Sequence, residues 1–339
     1  MMECKRIGFI ICLSSLFSFS TSSSLDNAGI GVYWGQDIRE GKLNTTCDTG
    51  NYAVVLLAYL RQFGDGRNPF WDFIGHDDGV VASQIKHCQV EPDHTNLSFN
   101  RTYLAKLCFS IDSQAKGVKV FLSIGGPITF YEYSLNSTED AKRFANYLYT
   151  SFLSGRFGPI GRVELDGIEF HIRATEDHWD DLVKELDFFR RTKGRYFHLV
   201  AAPRCQIPVH NLGKAIATKL FDHIFVQFYN DPSCEYNIED GTKPLLDSWD
   251  NWVNLVASNN SLFLALPADS SEEESGFVEP DVVNLEVLPH VKKATNYGGV
   301  ILYNRYRDII RNFSGEILPN VPKSSFFLNT MGPVFPYFG

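Results

Sequence analysis

Eight short runs of apolar, β-branched and aromatic residues are spread along the chain, and segments with helical character separate them. Runs of this length and composition are typical of strands that are buried on both faces of a parallel sheet. Eight strands that alternate with helices predict a single α/β domain, a TIM (β/α)8 barrel, which accommodates a chain of 339 residues. The predicted strands span residues 29–33, 52–60, 118–124, 167–172, 197–202, 223–228, 262–266 and 299–303.

The predicted helices lie between the predicted strands. Residues 141–153 form the clearest one, because Ser137 and Thr138 precede it as cap candidates and acidic residues stand at its start. A doubly wound sheet is the alternative arrangement. No Gly-x-Gly-x-x-Gly motif follows the first strand, so nothing supports dinucleotide binding, and we expect no cofactor. The other predicted helices span residues 179–192, 209–219, 245–257 and 281–293.

The first 24 residues have the pattern of a secretory signal peptide. Two basic residues, Lys5 and Arg6, precede an apolar segment at 7–19, and small polar residues follow at 20–24. The apolar segment is shorter than the roughly 20 residues that span a membrane, and no later run reaches that length. We therefore expect a secreted protein of the extracellular space or apoplast, with the vacuole as an alternative destination and no membrane partner.

Charge and histidine spacing exclude two further classes of protein. The chain carries 31 Lys and Arg against 40 Asp and Glu, a net charge of -9, and it has no basic run. It is therefore not expected to bind nucleic acid. His76, His87 and His94 are irregularly spaced, so no metal site is predicted.

The cysteines and sequons agree with a secreted chain. Of the seven cysteines, Cys4 and Cys12 leave with the signal, and the remaining five suit a compartment in which disulfides form. Because five is odd, one cysteine lacks an intramolecular partner. The number of Asn-x-Ser/Thr sequons favours a glycoprotein. The five cysteines are Cys47, Cys88, Cys108, Cys205 and Cys234, and the sequons begin at Asn44, Asn96, Asn100, Asn136, Asn259 and Asn312.

Three segments interrupt the repeat of strands and helices. Residues 90–114 are polar and carry two sequons, which predicts an inserted, exposed loop or a loop with a short helix. Residues 270–275 predict a solvated acidic loop after the seventh strand. Residues 319–339 mix Pro, Phe and Gly without periodicity and predict a loosely attached tail. The barrel is thus expected to occupy residues 25–318.

The fourth predicted strand contains the candidate site. Polar residues alternate at Glu169, His171 and Arg173, so an extended strand places all three on the side that faces the barrel axis. Ionisable groups in a core are costly unless they belong to a site or pair with one another. The simplest arrangement is a buried cluster in which Arg173 neutralises Glu169. Function in such barrels lies at the C-terminal ends of the strands.

Six short blocks at the predicted strands carry a resemblance to a known family. They are VYWGQ at 32–36, SIGG at 123–126, the segment that begins at Asp166, AAPRC at 201–205, VQFYN at 226–230 and YGGV at 297–300. From about residue 29 to about residue 314, the chain resembles a plant class III chitinase of the hevamine type, in glycoside hydrolase family 18. The resemblance implies the same barrel that the strand pattern predicts.

The resemblance also indicates what the fourth strand has lost. Family 18 chitinases carry the motif D-x-x-D-x-D-x-E, whose last Glu protonates the glycosidic oxygen while the preceding Asp orients the N-acetyl group that acts as nucleophile. The corresponding residues here are Asp166, Glu169, His171 and Arg173. An arginine does not donate a proton at physiological pH, and general acid catalysis contributes roughly 100- to 10,000-fold. The resemblance therefore implies a degenerate motif and chitinase activity that is absent or residual.

Other family positions in the cleft are kept in part. Tyr33, Gln227 and Tyr229 match positions that line the sugar site in the family. Tyr303 stands where the chitinases carry a Trp under the sugar, and its smaller ring offers less stacking surface. The resemblance thus implies a remnant ligand cleft.

The resemblance further implies two disulfides. Cys205 and Cys234 match a family pair that links the loops after strands five and six. Cys47 matches another family half-cystine, and its partner is either Cys88 or Cys108.

Together these observations predict a secreted, catalytically inactive chitinase-like protein that acts by binding. The resemblance extends to plant proteins with eroded motifs: xylanase inhibitors, chitinase-like lectins, and the seed proteins concanavalin B and narbonin. The most concrete role is in defence, as a monomer that binds a microbial xylanase or a chitin-type oligosaccharide. A weakly active acidic endochitinase and a storage or cell-wall protein are the alternatives.

Overall fold

A closed barrel of eight parallel strands confirms the predicted fold. The computed structural model describes residues 29–89, 117–127, 132–174, 177–257, 260–271 and 275–321. The first strand pairs with both the second and the eighth, and each other strand pairs with its neighbours in sequence, so the sheet closes on itself. Every predicted strand is present. The strands are β1 (Gly29–Trp34), β2 (Val54–Phe63), β3 (Lys119–Gly125), β4 (Gly167–His171), β5 (His198–Ala201), β6 (His223–Gln227), β7 (Ser261–Pro267) and β8 (Tyr297–Tyr303).

Alternate residues of each strand face either the barrel interior or the surrounding helices. In β4, Ile168 and Phe170 pack in the core layer between barrel and helices, whereas Glu169 and His171 face inward. The interior is filled by side chains, so space for a ligand exists at the ends of the barrel rather than along its axis. The interior side chains include Phe121, Phe225, Phe263 and Ile301.

Helices cover the outside of the barrel. Ser137 caps the helix Thr138–Leu148 by accepting a hydrogen bond of 3.1 Å from the backbone amide of Asp140, so this helix begins earlier than predicted. The helix predicted at 209–219 is shorter, Gly213–Ala217, since Asn and Gly residues weaken its first half. The other helices are Leu43–Asp48, Asp78–Gln89, Trp179–Thr192, Lys243–Leu255, Pro280–Val282, Leu288–Val291, Arg305–Arg311 and Phe313–Ile317; Tyr149–Leu153 and Val283–Val287 are π-helical.

Short elements complete the fold. Phe70–Trp71 and Glu132–Tyr133 are two-residue strands that pair with β2. Phe157–Gly158 and Gly161–Arg162 form a small hairpin, and Ile38–Glu40 and Leu318–Asn320 are 3-10 turns. Within the described part of the chain, no helix has the length and apolar character needed to cross a membrane.

Two disulfides fasten the loops and helices. Cys205 is bonded to Cys234, the pair that the resemblance implied. Cys47 is bonded to Cys88, which decides between the two partners that the sequence left open. This second bond joins the helix Leu43–Asp48 to the helix Asp78–Gln89.

Several sequence predictions concern residues outside the described ranges. These include the signal peptide, the inserted segment at 90–114 with Cys108, the centre of the acidic loop at 270–275, and the tail beyond residue 321. Among the sequons, Asn136 and Asn312 are exposed and Asn44 is half-buried on a helix, while Asn96, Asn100 and Asn259 lie outside the described residues. Glycosylation stays a prediction.

A buried histidine pair lies at the N-terminal end of the barrel. His198 begins β5 and His223 begins β6, and Nδ1 of His198 lies 3.0 Å from Nε2 of His223. Burial is the main reason that the pKa of each ring falls to about 3, so both rings are neutral. This pair was not predicted from the sequence, because no local pattern marks the first residue of a strand as buried.

Candidate functional site

Glu169, His171 and Arg173 form a column that runs from the barrel interior to its mouth. Glu169 is 0% exposed and His171 is 3% exposed, whereas Arg173 follows the end of β4 and is half-buried. Alternate residues of a strand are separated by about 7 Å, so the three groups lie at successive depths. The strand alternation thus places all three on the same side of β4.

Glu169 is the innermost group of the column. Its Oε1 accepts a hydrogen bond of 3.0 Å from the hydroxyl of Tyr33, and its Oε2 accepts a hydrogen bond from the hydroxyl of Ser123. Burial raises the pKa of Glu169 to about 7, although these two hydrogen bonds oppose the shift. Burial likewise raises the pKa of Tyr33 well above its ordinary value, so Tyr33 stays a neutral donor.

His171 occupies the middle of the column as a neutral ring. Burial, followed by the positive charges of Arg173 and Arg204, holds the pKa of His171 well below its ordinary value. The ring contacts the edges of Tyr33 and Tyr59, with centroids 5.5 and 5.1 Å away. It therefore fills a position between aromatic rings instead of carrying charge to the cleft.

Arg173 is held at the mouth of the barrel by neutral acceptors. Its guanidinium donates to the carbonyl oxygens of Ile172 at 3.1 Å and Ala202 at 3.2 Å, and to the side-chain oxygen of Gln227. It also lies 3.4 Å from Nε2 of His171. The predicted direct ion pair between Arg173 and Glu169 is wrong, because the strand spacing puts the carboxylate deeper in the barrel, where Tyr33 and Ser123 bind it.

Asp166 lies apart from the column, at the opposite end of β4. Its Oδ2 accepts hydrogen bonds of 2.9 Å from the backbone amide of Val120 and 2.7 Å from the side chain of Gln89. Nζ of Lys119 lies 3.7 Å from its Oδ1. Asp166 therefore anchors the start of β3 and β4 and does not join the other three motif residues.

Tyrosine rings surround the upper part of the column. The rings of Tyr229 and Tyr303 are stacked with centroids 5.8 Å apart, and Tyr33 meets Tyr303 edge-on at 5.4 Å. Tyr33 and Tyr229 are buried, whereas Tyr303 is half-exposed. Of the predicted cleft tyrosines, Tyr303 thus offers ring surface to a ligand, and Gln227 serves to hold Arg173.

Three residues at this site were not predicted from the sequence. Ser123 and Tyr59 contact Glu169 and His171 from β3 and β2. A hydroxyl within an otherwise apolar strand run is the signal that could have found both. Arg204 follows β5, and a basic residue just after a barrel strand is its only mark in the sequence.

A cavity of about 230 Å³ adjoins Arg173. Arg204, Gln206, His210 and Asn211, from the loop after β5, contribute to its lining. Arg204 is exposed, and its guanidinium makes no hydrogen bond or ion pair with any residue of the described chain. Partial desolvation and the charge of Arg173 lower the pKa of Arg204, which shows that the two cations repel one another.

Among the described residues, the candidate histidines do not converge on a metal site at this cleft. His76 and His87 each lie beside a different carboxylate, at 3.0 and 2.9 Å, and His94 is outside the described residues. Donor atoms of Cys205, Asp231 and Cys234 lie within 4.8 Å of one another. The two sulfurs are bonded to each other, so they do not supply thiolates to an ion.

The three groups of the described column differ in charge and in depth. The group nearest the mouth is a guanidinium, the next is a neutral imidazole, and the carboxylate is innermost with both oxygens hydrogen-bonded. An eight-stranded barrel with a tyrosine-lined mouth and this motif position on β4 defines a protein built on a glycoside hydrolase scaffold.

Residues 29–275 match the glycosyl hydrolases family 18, and the chain belongs to this family. An acidic endochitinase of Arabidopsis thaliana is 38% identical over 322 residues, which cover 92% of this chain and 95% of that protein. The chain is thus a plant class III chitinase-like protein, as the sequence blocks indicated.

Two solved structures show how closely enzymes and inhibitors of this family resemble the chain. A xylanase and α-amylase inhibitor protein from Scadoxus multiflorus is 37% identical with a TM-score of 0.73, covering 86% of this chain and 98% of that one. A chitinase from Ipomoea carnea is 35% identical with a TM-score of 0.73, covering 87% of this chain and 100% of that one. Sequence identity and TM-score therefore do not distinguish an inhibitor from an enzyme. The residues of the site have to be compared instead.

Proposed function

We propose that this chain is a secreted chitinase-like protein without catalytic activity that acts by binding. The observation that carries the proposal is the position of Arg173, whose guanidinium stands where the family motif has its proton donor. A guanidinium keeps its proton at physiological pH and cannot protonate a leaving group. Loss of general acid catalysis lowers a rate by roughly 100- to 10,000-fold.

The charge of Arg173 opposes hydrolysis in a second way. Glycoside hydrolysis passes through a transition state that resembles an oxocarbenium ion, and enzymes stabilise its positive charge with carboxylates. A cation fixed by Ile172, Ala202 and Gln227 beside the scissile bond has the reverse effect. His171 is neutral and lacks the carboxylate that would orient an N-acetyl group.

Glu169 does not replace the missing acid, although its pKa of about 7 would suit one. The ring of His171 lies between it and Arg173, 3.6 Å from Oε1 of Glu169 and 3.4 Å from the guanidinium. Both of its oxygens accept hydrogen bonds, from Tyr33 and Ser123, and the residue is 0% exposed. A sugar in the cleft therefore does not reach this carboxyl group.

The binding role that we propose is inhibition of a microbial xylanase or recognition of a carbohydrate. The inhibitor protein of Scadoxus multiflorus supports this role, since it has the same fold and is 37% identical in sequence to this chain. A weakly active endochitinase is the second candidate, and the Arabidopsis thaliana relative favours it. Turnover of a chitin oligomer separates the two candidates.

The deciding experiment is hydrolysis of an N-acetylglucosamine oligomer by the secreted protein. We expect no turnover by the natural protein and measurable turnover by the double variant His171→Asp with Arg173→Glu, which restores both carboxylates of the family motif. The matched control is His171→Asn with Arg173→Gln, which changes the same positions without adding an acid. The control should stay inactive.

Each result has a distinct meaning. Turnover by the natural protein would overturn the proposal. Inactivity of all three proteins would mean that the cleft, and not only its acid, has been lost. Binding is then measured separately, as loss of microbial xylanase activity on addition of the natural protein.

A further inference from the structure

We infer that the mouth of the barrel binds a carboxylate-bearing sugar, a hexuronic acid residue of an acidic oligosaccharide, between Arg173 and Arg204. The inference rests on the proposed function, since it names the ligand class for a cleft that the proposal leaves without catalysis. The family motif has carboxylates on this side of the cleft, which suit a neutral sugar. In this chain the charged side chains at the same place are the cations of Arg173 and Arg204.

The charge of Arg173 is not balanced by the groups that it contacts. Its guanidinium is bound by two backbone carbonyls, the amide of Gln227 and the neutral ring of His171. The nearest carboxyl group along β4 is that of Glu169, which is buried deeper and bound by other residues. Four neutral acceptors fix the orientation of the guanidinium while leaving its positive charge for a ligand.

Arg204 adds a second positive charge at the same cavity. It is exposed, and within the described ranges its guanidinium has no hydrogen-bond or ion-pair partner. The charge of Arg173 lowers the pKa of Arg204 more than the carboxylate of Asp231 raises it. Two cations that repel one another across a cavity are stabilised by an anion between them.

The remaining lining of the cavity suits an anionic group with hydroxyls around it. Gln206, His210 and Asn211 supply side-chain hydrogen-bonding groups, and none of the described residues that line the cavity is acidic. A volume of about 230 Å³ is below the roughly 300 Å³ at which pockets for larger ligands begin. The cavity thus fits one charged sugar residue and not a whole oligomer.

Tyrosine rings close to Arg204, although outside the lining of the cavity, favour a sugar over a simple anion. The phenol of Tyr229 interacts electrostatically with Arg204, and Tyr229 stacks on the half-exposed ring of Tyr303. Aromatic rings pack against the apolar faces of sugar rings, while arginines bind carboxylates in a bidentate manner. A hexuronic acid presents both features in one residue, which a phosphate or sulfate ion does not.

The test is calorimetric titration of the secreted protein with trigalacturonate at low salt. The matched ligands are its trimethyl ester, which has the same rings without the charge, and an N-acetylglucosamine trimer. The matched variants are Arg204→Gln and Arg156→Gln, because Arg156 is also exposed but precedes β4 and so lies at the other end of the barrel. An unchanged thermal midpoint shows that each variant is folded.

We expect saturable binding of trigalacturonate, at least tenfold weaker binding of the ester, and at least tenfold weaker binding of the acid by Arg204→Gln. Arg156→Gln should bind as the natural protein does. The inference is overturned if trigalacturonate does not bind saturably, if acid and ester bind equally, or if Arg204→Gln binds unchanged. These results leave the proposed function standing, because only turnover of a chitin oligomer contradicts that proposal.

Discussion

The hydroxyl of Tyr33 on β1 donates a hydrogen bond of 3.0 Å to Oε1 of Glu169 on β4, inside the closed barrel. Ser123 donates to the other carboxyl oxygen from β3. Both donors favour the ionised carboxylate, yet burial outweighs them and raises the pKa of Glu169 to about 7. The carboxyl group of Glu169 is thus part of the packed interior of the barrel.

The raised pKa of Glu169 makes a prediction for stability against pH. The folded value of about 7 lies above the ordinary value of 4.5, so the folded state binds this proton more tightly than the unfolded state. Its contribution is fully present below pH 4.5 and is lost as the pH rises to 7, by about 3 kcal/mol in total. Glu169→Gln should remove this loss, measured as the free energy of unfolding in urea at several pH values.

The control for this prediction is Glu239→Gln, which removes an exposed carboxyl group. The difference in unfolding free energy between Glu239→Gln and the natural protein should be the same at pH 4.5 and at pH 7. If the natural protein and Glu169→Gln show parallel stability curves in this range, the buried carboxyl group does not titrate as described. His171 is present in all three proteins, so its own titration cancels from the comparison.

The histidine pair at the base of the barrel makes the opposite prediction. His198 and His223 have folded pKa values of about 3, below the ordinary 6.5, chiefly because burial disfavours the charged rings. Their neutral forms are stable above pH 6.5, and stability is lost as the pH falls toward 3. His223→Gln should reduce the slope of unfolding free energy against pH, between pH 6 and 4, by about 1.4 kcal/mol per pH unit.

His210→Gln is the matched control for the histidine pair, because His210 lies in the loop after β5 and is exposed. This variant should keep the slope of the natural protein. If the slope of unfolding free energy against pH is the same for His223→Gln and the natural protein, His223 binds protons equally well in the folded and the unfolded state. That result would contradict the prediction.

The contact of Arg173 with Gln227 should couple the ends of β4 and β6. We expect Arg173→Met and Gln227→Leu each to destabilise the fold by about 1–3 kcal/mol, because Arg173→Met leaves the buried side-chain oxygen of Gln227 without its donor and Gln227→Leu takes an acceptor from the half-buried guanidinium. The double variant should be less destabilised than the sum, with a coupling energy of at least about 1 kcal/mol. Urea unfolding of the four proteins at one pH measures this coupling.

A second cycle with a remote glutamine controls for general loss of stability. Gln62, near the end of β2, donates a hydrogen bond of 2.9 Å to the carbonyl oxygen of Asn68 and has no contact with Arg173 among the described residues. Arg173→Met and Gln62→Leu should therefore be additive within about 0.5 kcal/mol. Equal coupling in both cycles would contradict a specific bond between Arg173 and Gln227.

The local pattern of the sequence was enough to predict the barrel and the direction of the β4 side chains. Buried strands of a closed parallel sheet are apolar runs separated by helices, and a period of two residues fixes which side chains face inward. Both features depend only on residues that are close together in the sequence. The bounds of helices such as Gly213–Ala217 were less well predicted, because packing decides where a weak helix ends.

The partners of the site residues were harder to predict because they come from distant parts of the chain. Tyr33 lies 136 residues before Glu169, and Ser123 lies 46 residues before it. Pairing across a barrel depends on strand order and register, which local patterns do not contain. The predicted ion pair of Arg173 with Glu169 failed because the ring of His171 lies between the two groups, 3.6 Å from Oε1 of Glu169 and 3.4 Å from the guanidinium.

The disulfides lead to a prediction for Cys108, which lies outside the described residues. Cys47–Cys88 and Cys205–Cys234 account for four of the five cysteines that would remain if the proposed signal peptide is cleaved. The protein processed in this way, denatured without reductant, should therefore take up one alkyl group, at Cys108, and five after reduction. Intact mass and peptide mapping measure both numbers and the cleavage site together. Uptake of three groups without reductant would mean that one of the two disulfides is not formed. Uptake of none would show that Cys108 is bonded to another molecule.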